Sequence, residues 1–217
     1  MKIKWIESRF FSTDKISNKM IIIHHTGSTN GQINSLQGTI DWFKPAVWRT
    51  TNQVSAHYII PRAEGDIIQM VRDEHTAWHA GRSEWIINGV LYQNLNNRTI
   101  GIELQGDGQL FPYTVFQYEA LIWLVKQKIE KFEIPLELIR GHEEITTRKP
   151  DPGPLFDWHR FKTGLTSTSV PGADIPVDDD DDGIIWLDET DDVKIPSGKD
   201  RTILETILDF FAGLFKR

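Results

Sequence analysis

Residues 20–27 read MIIIHHTG, and the fold turns on that stretch. Residues 20–23 are a short, continuous, β-favouring apolar run, the pattern of a buried strand. The run delivers His24 and His25 at its end. Neighbours on a strand face opposite sides, so one of the two histidines can reach a shared site and the other packs elsewhere. A polar, Gly-flanked loop follows at 27–31, and a helix is expected around 33–43. Residues 56–60 and 67–71 read as strands joined by the turn-rich segment 61–66, which predicts a hairpin. Residues 99–104, TIGIEL, read as another buried strand carrying Glu103. Thr114 can cap a helix reaching to about Phe132, because Tyr118, Leu121, Ile122, Val125, Ile129 and Phe132 recur at helical spacing. Residues 136–139 read as a short strand ahead of His142, and Asp157 can cap a last short helix containing Trp158, His159 and Phe161. Strands alternating with helices predict the α/β class.

The chemistry-bearing residues fall on the ends of these elements. His24, His142 and Asp151 offer two imidazoles and one carboxylate, a set that suits Zn²⁺ with a fourth position open for water. Bound zinc lowers the pKa of that water. A glutamate can take its proton and a lysine can stabilise the resulting oxyanion, and Glu103 and Lys149 are the candidates. The nine-residue spacing from His142 to Asp151 does not fit two ligands on one helix face. It fits a loop whose ends converge, stiffened by Pro150, Pro152 and Pro154. Each residue also has a structural reading. Glu103 can serve in an ion pair, since a carboxylate in an apolar run needs a partner or a function. Lys149 can be a solvated surface lysine, with Arg148 as the competing cation.

The segments IIIHHTG, SAHYII, AWHAG, TIGIELQG and GHEE…KPDPGPLFDW, in that order, resemble the type 2 N-acetylmuramoyl-L-alanine amidases. The peptidoglycan recognition proteins share that fold. The resemblance runs over roughly residues 18–164. It implies a central mixed β-sheet flanked by helices, with a zinc cleft on one side. It places the metal on His24, His142 and Asp151, and catalysis on Glu103 and Lys149. Some members carry a catalytic tyrosine just before the histidine of the SAHY-like motif, but here that position is Ala56. The resemblance also places AWHAG beside the cleft. Trp78 would pack on a sugar or stem peptide there, with core packing as its rival role, and His79 would bond to substrate. His57 is a further candidate substrate contact, with a hydrogen bond supporting the site as its rival role. Asn97 and Arg98 precede the Glu103 strand and are expected on the same groove, Arg98 either through a bidentate contact to a stem-peptide carboxylate or in a surface role. The implied activity is cleavage of the amide between N-acetylmuramic acid and L-alanine in peptidoglycan or its muropeptides. Three settings remain open: a phage or prophage endolysin, which the extra tail favours; a muropeptide-recycling amidase; and a non-catalytic peptidoglycan-binding module. An unrelated zinc peptidase is the reading furthest from these motifs.

Composition bounds these readings. The 217 residues are 39% hydrophobic and 25% charged, ordinary for a globular protein. Cysteine is absent, so there is no disulfide framework and no thiolate ligand of the kind many members of this family use. Residues 165–217 carry net −8, whereas residues 1–164 carry net +1. A chain without a basic stripe is not expected to bind nucleic acid. No secretory signal and no transmembrane segment are apparent, which predicts a cytoplasmic protein, as synthesised. The composition predicts a catalytic domain at 1–164, an acidic linker at 165–183 and a C-terminal segment, 184–217, with an amphipathic helix after Asp200. The five aspartates at 178–182 lack the spaced ligands of a calcium loop. Oligomeric state is not readable from the sequence.

Overall fold

The computed structural model describes residues 1–48 and 50–167. The expected linker beyond residue 167 and the expected terminal helix lie outside the described residues. Six strands form the central sheet: β1 (Ile3–Trp5), β2 (Met20–His25), β3 (Tyr58–Ile60), β4 (Ile67–Gln69), β5 (Thr99–Leu104) and β6 (Ile139–Gly141). Their spatial order is β1-β4-β3-β5-β2-β6. β3 and β4 pair antiparallel as the expected hairpin, and every other neighbouring pair is parallel. β2 and β5 lie inside the sheet with both faces covered. All of β5 and residues 20–24 of β2 are buried, which is why both read as unbroken apolar runs rather than alternating ones.

Helices cover both faces. α1 (Leu36–Phe43) packs Ile40 and Phe43 with Ile59 and Ile68. α2 (Val115–Phe132) and α4 (Trp158–Thr166) build the larger core with Tyr58, Ile60 and Ile102. Strand alternation puts Ile59 on the face opposite Tyr58 and Ile60, so the two cores lie on opposite faces. The caps are those the sequence predicts. The Thr114 hydroxyl accepts from Gln117 N–H while the Gln117 side chain returns to Thr114 N–H. Asp157 accepts from Arg160 N–H. α4 continues past Gly164 to Thr166.

Three expectations shift. Residues 28–29 and 32–33 pair as a tiny ribbon around Asn30 and Gly31, both at positive φ. The helix therefore starts later than expected, after Ser35, whose hydroxyl accepts from Gly38 N–H. An Asn-Gly pair favours this tight turn because both residues tolerate left-handed backbone. Residues 136–138 form a 3₁₀ turn rather than a strand, and the strand begins at Ile139. Between His142 and Asp151 the chain is not all loop, for His142–Ile145 form a short helix, α3.

Candidate metal centre and active site

Strand register sets the first part of the site. Across β2, β5 and β3, His24, Glu103 and Ile59 stand in one row on the α1 face. β6 pairs beside β2, with Gly141 opposite Ile23, and this brings His142 to the same edge at the start of α3. The loop then returns, and Glu143 N–H donates to the Asp151 carbonyl at 2.9 Å. Asp151 is thereby closed onto the two histidines.

The three side chains converge and are all buried. Asp151 Oδ2 lies 2.9 Å from His24 Nδ1 and 3.0 Å from His142 Nδ1. One donor atom from each residue falls within 4.8 Å of the other two. Zn²⁺ bonds of roughly 2.0–2.2 Å in a tetrahedron need donors a little over 3 Å apart, so this donor set fits zinc after a small expansion. Protonation fits as well. Burial pushes the His24 imidazole down to about 4 against the opposing pull of Asp151. Burial alone would raise the Asp151 carboxyl, but hydrogen bonds from His142 and His24 hold it well below the usual carboxylate range. A neutral imidazole and an ionised carboxylate are the forms that ligate metals. His142 Nε2 faces the Ala80 carbonyl at 3.3 Å, which turns its Nδ1 toward the site.

Glu103 is next to this trio and is 9% exposed. Its Oε2 has no hydrogen-bond partner among the described residues. Burial, then the negative charge of Asp151, raise its pKa well above the ordinary value, and Lys149 opposes them. An unpartnered buried carboxyl with a raised pKa is suited to proton transfer near neutral pH. Lys149 is exposed on the same cleft, which also contains His24, His142 and Asp151 and encloses about 690 Å³. A second groove of about 780 Å³, between the ribbon at 84–93 and residues 143–148, contains none of the trio.

The structure brings together His24, Glu103, His142, Lys149 and Asp151, with His79 beside them. The other expected substrate contacts do not line the cleft. His57 is fully buried, with Nδ1 accepting from Gly101 N–H at 3.0 Å and Nε2 facing the His75 carbonyl at 3.1 Å. Trp78 stacks on Phe10 and donates from Nε1 to Ser12 Oγ. The Asn97 carbonyl accepts from Ile16 and Ser17 N–H. The Arg98 guanidinium sits 4.8 Å over the Tyr92 ring. Core and surface packing, not the cleft, occupies these four. His79 does line the cleft, but its Nδ1 is 2.9 Å from His24 Nε2, so its first partner is a histidine of the trio. Burial, then the neighbouring His24 and His57, hold the His79 imidazole well below its ordinary pKa, and the ring is neutral.

Sequence reasoning passed over the opposite wall. Asn34, Ser35, Gly38, Thr39 and Trp42 come from α1 and the turn before it and line the cleft. Trp42 is 48% exposed there. Its signal was a tryptophan on a helix immediately downstream of the His24 loop. The wall pairs polar groups with an aromatic face, the combination a site for an amphipathic ligand needs.

The family model for N-acetylmuramoyl-L-alanine amidase (Amidase_2) matches residues 14–154. The chain belongs to this amidase family. It is 40% identical over 112 residues to the 1,6-anhydro-N-acetylmuramyl-L-alanine amidase AmpD of Enterobacter cloacae, covering 50% of this chain and 56% of that protein. It is 34% identical over 158 residues to the N-acetylmuramoyl-L-alanine amidase AmiD of Escherichia coli, covering 66% and 51%. The chain thus spans about half the length of these curated relatives. Among solved structures, an AmpD crystal structure superposes with a TM-score of 0.66 at 28% identity, covering 76% of this chain and 95% of that one. E. coli AmiD bound to anhydro-N-acetylmuramic acid-L-Ala-D-γ-Glu-L-Lys gives a TM-score of 0.57 at 31% identity, covering 69% and 58%. These amidases have the same central mixed sheet with flanking helices.

Proposed function

We propose that this chain is a zinc-dependent N-acetylmuramoyl-L-alanine amidase that cleaves the amide between the lactyl group of N-acetylmuramic acid and L-alanine. The observation that carries this is the buried trio of His24, His142 and Asp151 with an unpartnered Glu103 carboxyl in the same cleft. The trio would hold the metal, and zinc in such a site supplies Lewis-acid polarisation and a water of lowered pKa. Glu103 takes the proton from the attacking water and returns one to the leaving amine. Lys149 supplies positive charge where the carbonyl oxygen becomes an oxyanion. An orphaned buried carboxyl is costly to keep, and a module that only binds has no use for it. That argues for catalysis over binding alone.

The substrate reading changes from the one the sequence favoured. The tail favoured an endolysin acting on intact walls. Six relatives at 39–40% identity are named 1,6-anhydro-N-acetylmuramyl-L-alanine amidase, one at 43% over 72 residues is named simply N-acetylmuramoyl-L-alanine amidase A, and the AmiD structure holds an anhydro muropeptide. These support a small anhydro-muropeptide substrate, as in recycling, over an intact wall. An endolysin from Clostridium intestinale at 22% identity speaks for the fold alone.

The test offers purified protein a synthetic anhydro-muramyl tripeptide and, separately, intact sacculi, with mass spectrometry of the products and elemental analysis of the protein. About one zinc per chain is expected, with the tripeptide cut at the lactyl–alanine amide faster than the sacculi. His142→Ala should lose the metal and the activity together. Full zinc occupancy in that variant overturns the ligand assignment, and cleavage at any other bond overturns the function.

A further inference from the structure

His24 has two ring nitrogens, and the fold treats them differently. Nδ1 faces Asp151, while Nε2 faces His79 Nδ1 at 2.9 Å. The other nitrogen of His79 continues the line, with Nε2 3.1 Å from Thr99 Oγ1. Thr99 Oγ1 is also 2.9 Å from the Leu95 carbonyl. The line is therefore Leu95 C=O, Thr99 hydroxyl, His79 imidazole, His24 imidazole. Resting on the zinc-site reading above, we propose that Thr99 is a positioning residue: through His79 it fixes the His24 tautomer whose Nδ1 is bare and able to ligate the metal.

The direction of the bonds follows from the end of the line. A carbonyl oxygen only accepts. With its one proton given to Leu95, the Thr99 oxygen accepts from His79 Nε2–H. His79 Nδ1 is then bare and accepts from His24 Nε2–H, which leaves His24 Nδ1 without a proton. The opposite polarity has Thr99 donating to His79 Nε2, His79 Nδ1–H donating to His24 Nε2, and His24 Nδ1–H donating to Asp151. Both arrangements hold the same number of protons and need no heavy atom to move. They differ only in which end is satisfied. The Leu95 carbonyl favours the first and the Asp151 carboxylate the second, and a cation at the trio selects the first.

The surroundings hold this line in place. Thr99 is fully buried and does not line the cleft, so it can act only through its neighbour. The backbone N–H groups of His79 and Ala80 both donate to Asn96 Oδ1, at 3.0 and 2.7 Å. The His79 ring lies directly over Gly101, where a Cβ would come within 2.5 Å of it. Thr99, Gly101 and Glu103 alternate along one face of β5, so a single strand carries the anchor, the gap for the ring and the acid. His142 needs no such relay, because its Nε2 meets a backbone carbonyl directly. Hydrogen bonds of this kind to ligand histidines are worth about 10- to 100-fold in metal affinity.

The experiment measures zinc affinity by competition with a chromophoric chelator for the wild type, Thr99→Val and Thr99→Ser, and records ¹⁵N spectra of the histidine rings with zinc bound. Valine keeps the shape and removes the acceptor, so affinity should fall about 10- to 100-fold. Serine restores the hydroxyl and should recover most of that loss. In the zinc-loaded wild type, the spectra should show the proton of His79 on Nε2. Unchanged zinc affinity in Thr99→Val, or no recovery in Thr99→Ser, overturns the proposal. So does a proton on His79 Nδ1 in the wild type, a result that needs no variant to fold. Activity is not the readout. A chain that binds zinc through this relay and cuts no muropeptide overturns the function alone.

Discussion

Two carboxyls are buried on opposite faces of the sheet, and the fold provides for only one of them. Asp73 is 4% exposed and fully matched. The Tyr58 hydroxyl donates to Oδ1 at 2.7 Å, and Lys128 and Lys131 donate to Oδ2 at 2.8 and 3.2 Å. Burial alone would raise its pKa, but Lys128, Tyr58 and Lys131 together bring it below the ordinary value. Glu103 is similarly buried, yet one oxygen is orphaned and its pKa is raised. Burial is common to both and does not separate them. Hydrogen-bond satisfaction does. The matched acid, in the segment after β4, ties α2 to β3, and the unmatched one is left free for a proton.

The largest effect should come from breaking the matched acid. Asp73→Asn leaves the Lys128 ammonium buried without its counter-charge, a change that costs about 3–5 kcal/mol of stability. Urea unfolding of the zinc-loaded protein measures it. Activity per folded molecule should stay close to wild type, because Asp73 lies on the face away from the cleft. A loss of activity with stability intact would mean that Asp73 also belongs to the site. The next effect comes from the unmatched acid. Glu103→Gln keeps the shape and cannot accept a proton, so kcat/KM on the anhydro-muramyl tripeptide should fall on the order of 10²-fold. Zinc content and melting should hold. Near wild-type turnover would make Glu103 structural and erase the contrast with Asp73.

The same contrast marks what the sequence can say. Glu103 was legible because a charge inside TIGIEL breaks an apolar run. Asp73 sits in VRDEH, among charged residues that read as surface, and its burial depends on a lysine 55 positions away. The trio was legible as an ordered set of residue types, and β2, β5, α2 and both named caps follow from local pattern. Local pattern does not encode which strand lies beside which. The His24–Glu103 row exists only because β2 and β5 pair in parallel register. Of the expected substrate contacts, His57, Trp78, Asn97 and Arg98 do not line the cleft; core packing was the rival reading for Trp78, a supporting hydrogen bond for His57 and a surface role for Arg98, and the contacts each makes are of those kinds. Two signals were present and unused: Asn30-Gly31 and Asn88-Gly89 are the positive-φ turns of two ribbons.

The smallest effect sharpens the comparison through pH, because the two acids must respond with opposite sign. The folded pKa of Asp73 is depressed, so its contribution is present above the unfolded value of about 3.9 and is lost as pH falls through the folded pKa. The folded pKa of Glu103 is raised above its ordinary 4.5, so folding favours its neutral form. That contribution is present below the unfolded pKa and is lost as pH rises through the folded one. Zinc must be stripped for the measurement, since a cation beside Glu103 would favour the carboxylate. Between the two pKa values the zinc-free wild type should lose up to about 1.4 kcal/mol per pH unit relative to Glu103→Gln, whose amide does not titrate. Urea unfolding of both proteins from pH 5 to 8 should therefore show the variant's advantage growing with pH and then levelling off once the wild-type carboxyl has ionised. Asp73→Asn should show no such growth against wild type over that range, because Asp73 is ionised throughout it, folded or unfolded. Parallel pH profiles for the wild type and Glu103→Gln would mean that the Glu103 carboxyl finds a partner in solution, and the distinction between the matched and the unmatched acid would collapse.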